Sequence, residues 1–211
     1  MEGEISMSGG LSSFLIIGFT LPTPHESPEV EAEAINDFLL SDAVDIFHIR
    51  KTESSAQYTE DLLNLIDPSL ATRLVLNSHY HLTDKFSFKG IHYKPQVHKD
   101  YEENFFISRS CHHISELNQG SDAFLYSFLS PIYDSISKVG YSSAFSLKEK
   151  DLQNAVASCP VIALGGVQPS FFYELFQSKF AGAALLGYLW SPKTTREEKI
   201  AEILTARSYI K

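Results

Sequence analysis

The sequence predicts a single-domain α/β protein with a (β/α)8 barrel, or TIM barrel, fold. Eight short apolar runs of strand length alternate with polar or amphipathic segments, and 211 residues is close to the smallest length that holds eight βα units. With 44% hydrophobic residues the chain can bury one full core, and no Pro-, Gly- or Ser-rich linker divides it. We therefore expect one domain over residues 1–211, with residues 1–12 flexible.

Most strand candidates carry Ile, Val, Phe or Leu on both faces, as parallel strands do when helices cover them. In chain order they are SFLIIGFT (13–20), DIFHIR (45–50), RLVLNS (73–78), KGIHY (89–93), FFISRS (105–110), AFLYSFL (123–129), PVIALGG (160–166) and GAALLGYL (182–189). A doubly wound open sheet usually needs only five or six strands, so the count favours the barrel. The segments after strands three and four are too short for full helices, which is the main point in favour of the open sheet.

Four of the intervening segments have the composition of amphipathic helices. They are SPEVEAEAINDFLL (27–40), SAQYTEDLLNLI (55–66), SLKEKDLQNAVA (146–157) and TTREEKIAEILTA (194–206). The first opens with Ser27 as a helix cap and Pro28 in the first turn, which predicts where that helix begins.

Charge and cysteine content exclude several classes of function. A formal net charge of -9 argues against a general nucleic-acid binder, which needs a basic field. Cys111 and Cys159 lie far apart in apolar runs, so they suggest neither a disulfide framework nor a zinc site. No apolar run reaches the roughly 18 residues of a membrane span, and the first residues do not resemble a basic signal region. We expect a cytoplasmic protein that binds neither nucleic acid nor membrane.

The second strand candidate ends in an unusual concentration of positive charge. Strand alternation places His48 and Arg50 on one face, with Lys51 next in the chain. In a (β/α)8 barrel the active site lies at the carboxyl ends of the strands, so this cluster predicts an anion site at the barrel mouth. The alternative is a solvated strand end whose charges only mark the surface.

Other polar residues lie at the predicted strand ends and would converge on the same mouth. They are Asn77, Ser78, His92, Arg109, Ser110, His112, Ser130, Gly165, Gly166 and Gly187. The glycine pair would let backbone amides approach a phosphate, although isolated pairs also occur in ordinary turns. The loop after strand six adds Ser135, Ser137 and Lys138, groups suited to phosphate oxygens, unless this is only a solvated loop. Lone strand histidines are more often core residues than ligands, and His79 and His81 lack a complete metal-ligand set.

Taken in order, these motifs resemble the thiamine phosphate synthase superfamily, which includes the TenI-like thiazole tautomerases. The matching segments are FHIRK, VLN, GIH, SRSCHHISEL, SPIYDSISK and VIALGGV, and the match spans nearly the whole chain, roughly from strand one to strand eight. The resemblance implies a thiamine-phosphate pyrophosphorylase, a transferase that joins a pyrimidine methyl diphosphate to a thiazole phosphate and releases pyrophosphate. Its partners would be these small phosphorylated substrates, and the sequence leaves open whether the chain forms a homo-oligomer.

The resemblance also implies roles for individual residues. Arg50, Lys51, Asn77 and Lys138 would hold the pyrophosphate, and Ser110 would face the pyrimidine. Ser135, Ser137, Gly165 and Gly166 would bind the thiazole phosphate. A multiply charged leaving group needs preorganised cations, usually including Mg²⁺, more than it needs a general base.

Three departures from the family pattern affect this expectation. Ser78 and Val97 stand where the synthases have magnesium-binding aspartates, so no metal ligands are assigned and the expected Mg²⁺ site is in doubt. Pro131 stands where the tautomerases have a catalytic histidine. We therefore expect a synthase-like enzyme with weakened activity, and the alternatives are a TenI-like tautomerase and a phosphate-ligand binding protein without catalysis.

Overall fold

The eight strands form a closed parallel barrel in chain order, as the sequence predicts. The computed structural model describes residues 13–94, 106–117, 119, 124–134, 147 and 149–210. The strands are β1 (Leu15–Phe19), β2 (Ile46–Ile49), β3 (Leu74–Leu76), β4 (Gly90–His92), β5 (Phe106–Cys111), β6 (Tyr126–Leu129), β7 (Val161–Ala163) and β8 (Gly182–Leu185).

The helices of the described part cover the outside of this barrel. They are α1 (Pro28–Leu40), α2 (Ala56–Leu65), α3 (Ile114–Leu117), α4 (Lys150–Ser158), α5 (Phe172–Gln177) and α6 (Arg196–Ser208), with 3-10 helices at Pro68–Arg73, Tyr80–Asp84 and Pro169–Phe171. The Ser27 side chain accepts a hydrogen bond from Val30 N, which confirms the predicted cap of α1. A capping box of Thr195 and Glu198 fixes the start of α6. No helix in the described residues is long and apolar enough to cross a membrane.

The barrel closes where the first strand pairs with the last. Leu15 lies opposite Gly182, and the register continues to Gly18 opposite Leu185. A Cβ at position 182 would lie 2.3 Å from the Leu15 carbonyl oxygen, so this close approach requires glycine.

The apolar residues divide into a layer inside the barrel and a larger layer between the strands and the helices. The inner layer contains Ile17, Phe19, Ile46, Val75, Tyr126, Phe128, Ile162 and Ala184. The outer layer includes helix residues such as Ile35, Phe38 and Leu62, all fully buried. The inner layer fills the barrel below its mouth, so polar strand residues have room only near the carboxyl ends.

Several strands end earlier than the sequence predicts, and the residues that follow them form the mouth of the barrel. β7 stops at Ala163, because Gly165 and Gly166 adopt φ of +91° and +67° and cannot continue a strand. β8 stops at Leu185, and the chain turns at Gly187. Between β3 and β4 the chain forms only the short 3-10 helix Tyr80–Asp84, so a short connection does not prevent barrel closure.

Candidate functional site

A cavity of about 480 Å³ opens at the carboxyl ends of the strands, a size typical of small-molecule sites. Nine of the residues predicted from the sequence line it: Arg50, Asn77, His92, Ser110, His112, Ser130, Gly165, Gly166 and Gly187. A larger groove of about 740 Å³ lies against α6, where the described lining offers the carboxylate of Glu202 and no cation. The strand-end cavity therefore concentrates the groups that could bind an anionic ligand.

Strand alternation explains which side chains reach this cavity. On β2 and its extension, His48 and Arg50 share the inward face, whereas Lys51 belongs to the outward face. On β5, Ser108 and Ser110 share the inward face and Arg109 the outward one. Lys51 and Arg109 are therefore not part of the cavity, because each occupies an outward-facing position of its strand.

His48 lies fully buried below the cavity and does not line it. Its Nδ1 is 2.8 Å from the Asn77 Oδ1, and its Nε2 is 2.7 Å from the Tyr126 hydroxyl. Because an amide oxygen only accepts, Nδ1 carries the proton and Nε2 accepts from the tyrosine. Burial, assisted by nearby His92, lowers the pKa of His48 well below its ordinary value. The imidazole is therefore neutral, and it orients Asn77 rather than contacting a ligand itself.

His92 connects this interior network to the mouth. Its Nδ1 is 2.9 Å from the Ser108 Oγ, and its Nε2 is 3.1 Å from the Ser110 Oγ. Burial, with smaller effects of Lys94 and Arg50, lowers the pKa of His92 to about 3. A neutral imidazole has one donor and one acceptor nitrogen, so one serine donates to it and the other accepts from it. The exposed Ser110 hydroxyl is thereby given a fixed direction at the cavity wall.

Lys51 lies in a buried ion pair on the outer side of the barrel. Its Nζ is 2.6 Å from Glu31 Oε1 and donates to the Thr23 carbonyl at 2.7 Å. The Tyr58 hydroxyl donates to the other Glu31 oxygen at 3.0 Å. Burial lowers the pKa of Lys51 and raises that of Glu31, while their mutual attraction opposes both shifts. With both side chains fully buried, this ammonium fixes the loop after β1 and does not face the cavity.

Arg109 also points away from the cavity. Its guanidinium donates to the carbonyls of Leu117 and Gln119 and, through Nε, to Ser127 Oγ at 3.0 Å. It therefore holds the carbonyl end of the short helix α3, which is a structural use of the charge.

Arg50 and Lys94 are the two cations of the described cavity lining. The sequence does not predict Lys94 as a site residue, because the fourth strand candidate, KGIHY (89–93), ends at Tyr93. Its Nζ donates to the Asn77 carbonyl at 2.8 Å. Burial and the Arg50 charge lower the pKa of Lys94. Since Gly90, His92 and Lys94 have the same parity, extending the strand by alternation would have found it.

The glycine pair after β7 packs against the loop after β6. Tyr133 N donates to the Gly165 carbonyl at 3.0 Å, and a Cβ at 166 would lie 2.3 Å from the Asp134 carbonyl oxygen. A Cβ at 165 would lie 2.9 Å from Pro131. Glycine is therefore required at both positions, and both line the cavity.

His112 stands at the rim beside this loop. Its Nδ1 donates to the Ser130 carbonyl at 3.1 Å, which leaves Nε2 as an acceptor if the ring is neutral. Its backbone N donates to Glu116 at 2.7 Å. Among the predicted histidines it is the exposed one, so it is the imidazole best placed to meet a ligand.

The described donor set does not fit magnesium. No Asp or Glu occurs in the described cavity lining, and the described residues contain no group of three His, Cys, Asp or Glu that could hold a metal. The Ser78 hydroxyl accepts from Lys51 N at 2.9 Å and is buried outside the described lining. Magnesium prefers carboxylate oxygens, so these side chains offer it little. Val97, Ser135, Ser137 and Lys138 lie outside the described residues.

Comparison with known proteins places the chain in one protein family. The family model described as thiamine monophosphate synthase matches residues 19–189. No curated protein matches the sequence. A thiamine phosphate pyrophosphorylase from Bacteroides thetaiotaomicron has 27% identity and a TM-score of 0.74, over 92% of this chain and 98% of that one. The thiamine phosphate pyrophosphorylase of Pyrococcus furiosus has 15% identity and a TM-score of 0.66, over 93% and 96% of the two chains, which shows the shared fold.

Proposed function

Because the chain belongs to the thiamine monophosphate synthase family, we propose that it joins a pyrimidine methyl diphosphate to a thiazole phosphate and releases pyrophosphate. The observation that carries this proposal is a cavity with two kinds of anion-binding group. Arg50 follows β2, and the Gly165-Gly166 turn follows β7, so β8 and β1 separate them around the mouth. A reaction with one diphosphate and one monophosphate needs two such groups.

The chemistry demands charge neutralisation more than proton transfer. The bond between the pyrimidine methylene carbon and the diphosphate oxygen breaks, and its electron pair leaves with pyrophosphate. The thiazole nitrogen then donates its lone pair to the methylene carbon and forms the new C–N bond. No proton is lost from the nitrogen, so a strong base is unnecessary, and the low pKa of His92 is no obstacle.

Three described features have a place in this scheme. Arg50 can bind the leaving group through two charge-assisted hydrogen bonds. Ser110, oriented by His92 at 3.1 Å, can hydrogen-bond the pyrimidine. The glycine pair can bring backbone close to the thiazole phosphate, a role that the family pattern also gives to Ser135 and Ser137, whereas it gives Lys138 to the pyrophosphate. We derive no step through magnesium, because the described donor set does not fit it.

The tautomerase alternative depends on a proton-transfer group at the mouth. Pro131, which lines the cavity beside Gly165, has no titratable group. The task would therefore fall to His112, and a positioned acid or base typically contributes about 10²- to 10⁴-fold.

Turnover with both candidate substrate sets tests the proposal. Incubation with the pyrimidine diphosphate and thiazole phosphate should yield thiamine phosphate and pyrophosphate in equal amounts, measured by chromatography. The thiazole carboxylate phosphate should be tautomerised slowly. Rapid tautomerisation abolished by His112→Asn would favour the alternative enzyme, and tight binding without turnover of either set would favour a binding protein.

A further inference from the structure

Lys94 and Arg50 approach the same cavity from β4 and β2, with β3 between them. Neighbouring strands lie about 4.8 Å apart, so the two backbones are roughly 10 Å apart and the long side chains can converge. The Lys94 ammonium is held in place by the Asn77 carbonyl at 2.8 Å. The Asn77 side chain is itself fixed by His48. Lys94 is thus a positioned cation at the cavity wall.

These two cations repel one another, and no acidic side chain among the described lining residues neutralises them. Burial is the main cause of the lowered pKa of both Lys94 and His92, and the Arg50 charge adds to each shift. No described residue accepts a hydrogen bond from the Arg50 guanidinium, and no described lining residue is acidic. Two partly buried like charges that the described residues leave uncompensated are costly by themselves, and an anion between them removes that cost.

The anion that fits has more than one charged group. A single phosphate can satisfy either cation, but a diphosphate can place one phosphoryl group on the guanidinium and the other on the ammonium. Each contact would be a charge-assisted hydrogen bond in a site partly shielded from water. Lys94 would then supply positive charge that a divalent ion could otherwise supply to the leaving group.

We propose that Lys94 and Arg50 together bind the diphosphate group of the substrate, and that this binding needs no divalent cation. The inference rests on the proposed function, because it identifies the diphosphate as the ligand of this part of the cavity. It adds a binding residue, Lys94, and replaces the expected metal by a side chain.

Titration calorimetry with inorganic pyrophosphate tests the proposal on the full chain. Wild-type protein should bind pyrophosphate in excess EDTA, Lys94→Met should bind it at least about tenfold more weakly, and Lys94→Arg should retain most of the affinity. Lys85→Met is the matched control, because Lys85 is exposed and pairs with Glu60 away from the cavity. Circular dichroism and thermal unfolding would show that each variant is folded. Pyrophosphate binding that appears only after magnesium is added, or equal affinity in Lys94→Met and wild type, would overturn the inference.

The same experiments separate this inference from the proposed function. Pyrophosphate binding in EDTA that requires Lys94, without turnover of the two substrates, would uphold the inference and contradict the synthase proposal. Turnover that stops in EDTA and is unaffected by Lys94→Met would contradict the inference and uphold the synthase. Turnover in EDTA that falls at least about tenfold in Lys94→Met would support both.

Discussion

Arg50 is the single residue on which the diphosphate site depends most. Its guanidinium faces the cavity, and its backbone N is fixed by Thr20 Oγ1 at 2.8 Å. We expect Arg50→Ala to weaken binding of the pyrimidine diphosphate by about 2 kcal/mol or more, because no neighbour can make the same paired hydrogen bonds. Calorimetry with the substrate would measure this, with Lys85→Ala as the surface control. An unchanged dissociation constant would show that Arg50 is only a polar strand end.

Lys51, the next residue, should affect stability instead of ligand binding. Lys51→Met leaves Glu31 buried beside Tyr58 without its counter-charge, and breaking a buried pair in this way typically costs about 3–5 kcal/mol. Urea unfolding should show this loss, and the double variant Lys51→Met/Glu31→Gln should recover part of it. A Lys51→Met protein with wild-type stability and impaired pyrophosphate binding would show that Lys51 belongs to the binding site.

At the scale of single elements, the turn after β7 is the most constrained. Gly166 has φ of +67°, and a Cβ there would lie 2.3 Å from the Asp134 carbonyl oxygen. Gly166→Ala should therefore destabilise the protein by at least about 1–2 kcal/mol from the backbone conformation alone, and the clash should shift the Gly165-Gly166 turn. Urea unfolding and thiazole phosphate binding would both report it. Ser170 is exposed in the 3-10 helix Pro169–Phe171, so Ser170→Ala should change neither the free energy of unfolding nor thiazole phosphate binding.

The sequence predicts all eight strands because each is a short apolar run, but it predicts their ends poorly. The sequence predicts that the seventh strand runs to Gly166. The strand ends at Ala163 instead, because Gly165 and Gly166 have positive φ. The pairing of His92 with Ser108 and Ser110 depends on the register between β4 and β5, which shifts between Ile91 and His92. Such a bulge leaves no clear signal in sequence.

The candidate site could be predicted only in part, because the sequence indicates the face of each strand residue but not its depth in the barrel. Alternation correctly groups His48 with Arg50, but the depth of each side chain depends on how far the inner core fills the barrel. His48 therefore falls among buried residues, stacked on Phe19 with ring centroids 4.6 Å apart, while Arg50 reaches the cavity. Lys51 is predicted in the same cluster because it follows Arg50 in the chain. Strand alternation, however, places its side chain on the outer side of the barrel.

At the scale of the whole molecule, two buried neutral histidines should make stability depend on pH. Their folded pKa values lie below the ordinary 6.5, about 3 for His92, so their contribution is complete above about pH 6.5. Below that value the unfolded chain binds protons that the folded chain does not, and each histidine lowers the free energy of unfolding by up to about 1.4 kcal/mol per pH unit until its folded pKa is reached.

Urea unfolding between about pH 7 and about pH 5 would measure this slope. His92→Gln should reduce it relative to wild type, whereas the exposed His81→Gln should leave it unchanged. An identical slope in wild type and His92→Gln would mean that the imidazole is protonated inside the barrel.

The pairing of β1 with β8 has a consequence for how the chain is made. Residues 15–18 are translated before the rest of the barrel, and their partners at 182–185 only much later. Until then the nascent sheet has two open edges with unsatisfied backbone groups, the kind of surface that recruits chaperones or pairs with another chain. Arg207 of α6 then binds Asp45 and the Asp42 carbonyl, so the last helix fastens onto the β1–β2 side of the seam. A ribosome stalled before residue 182 would thus carry most of the apolar residues of the barrel before the barrel can close.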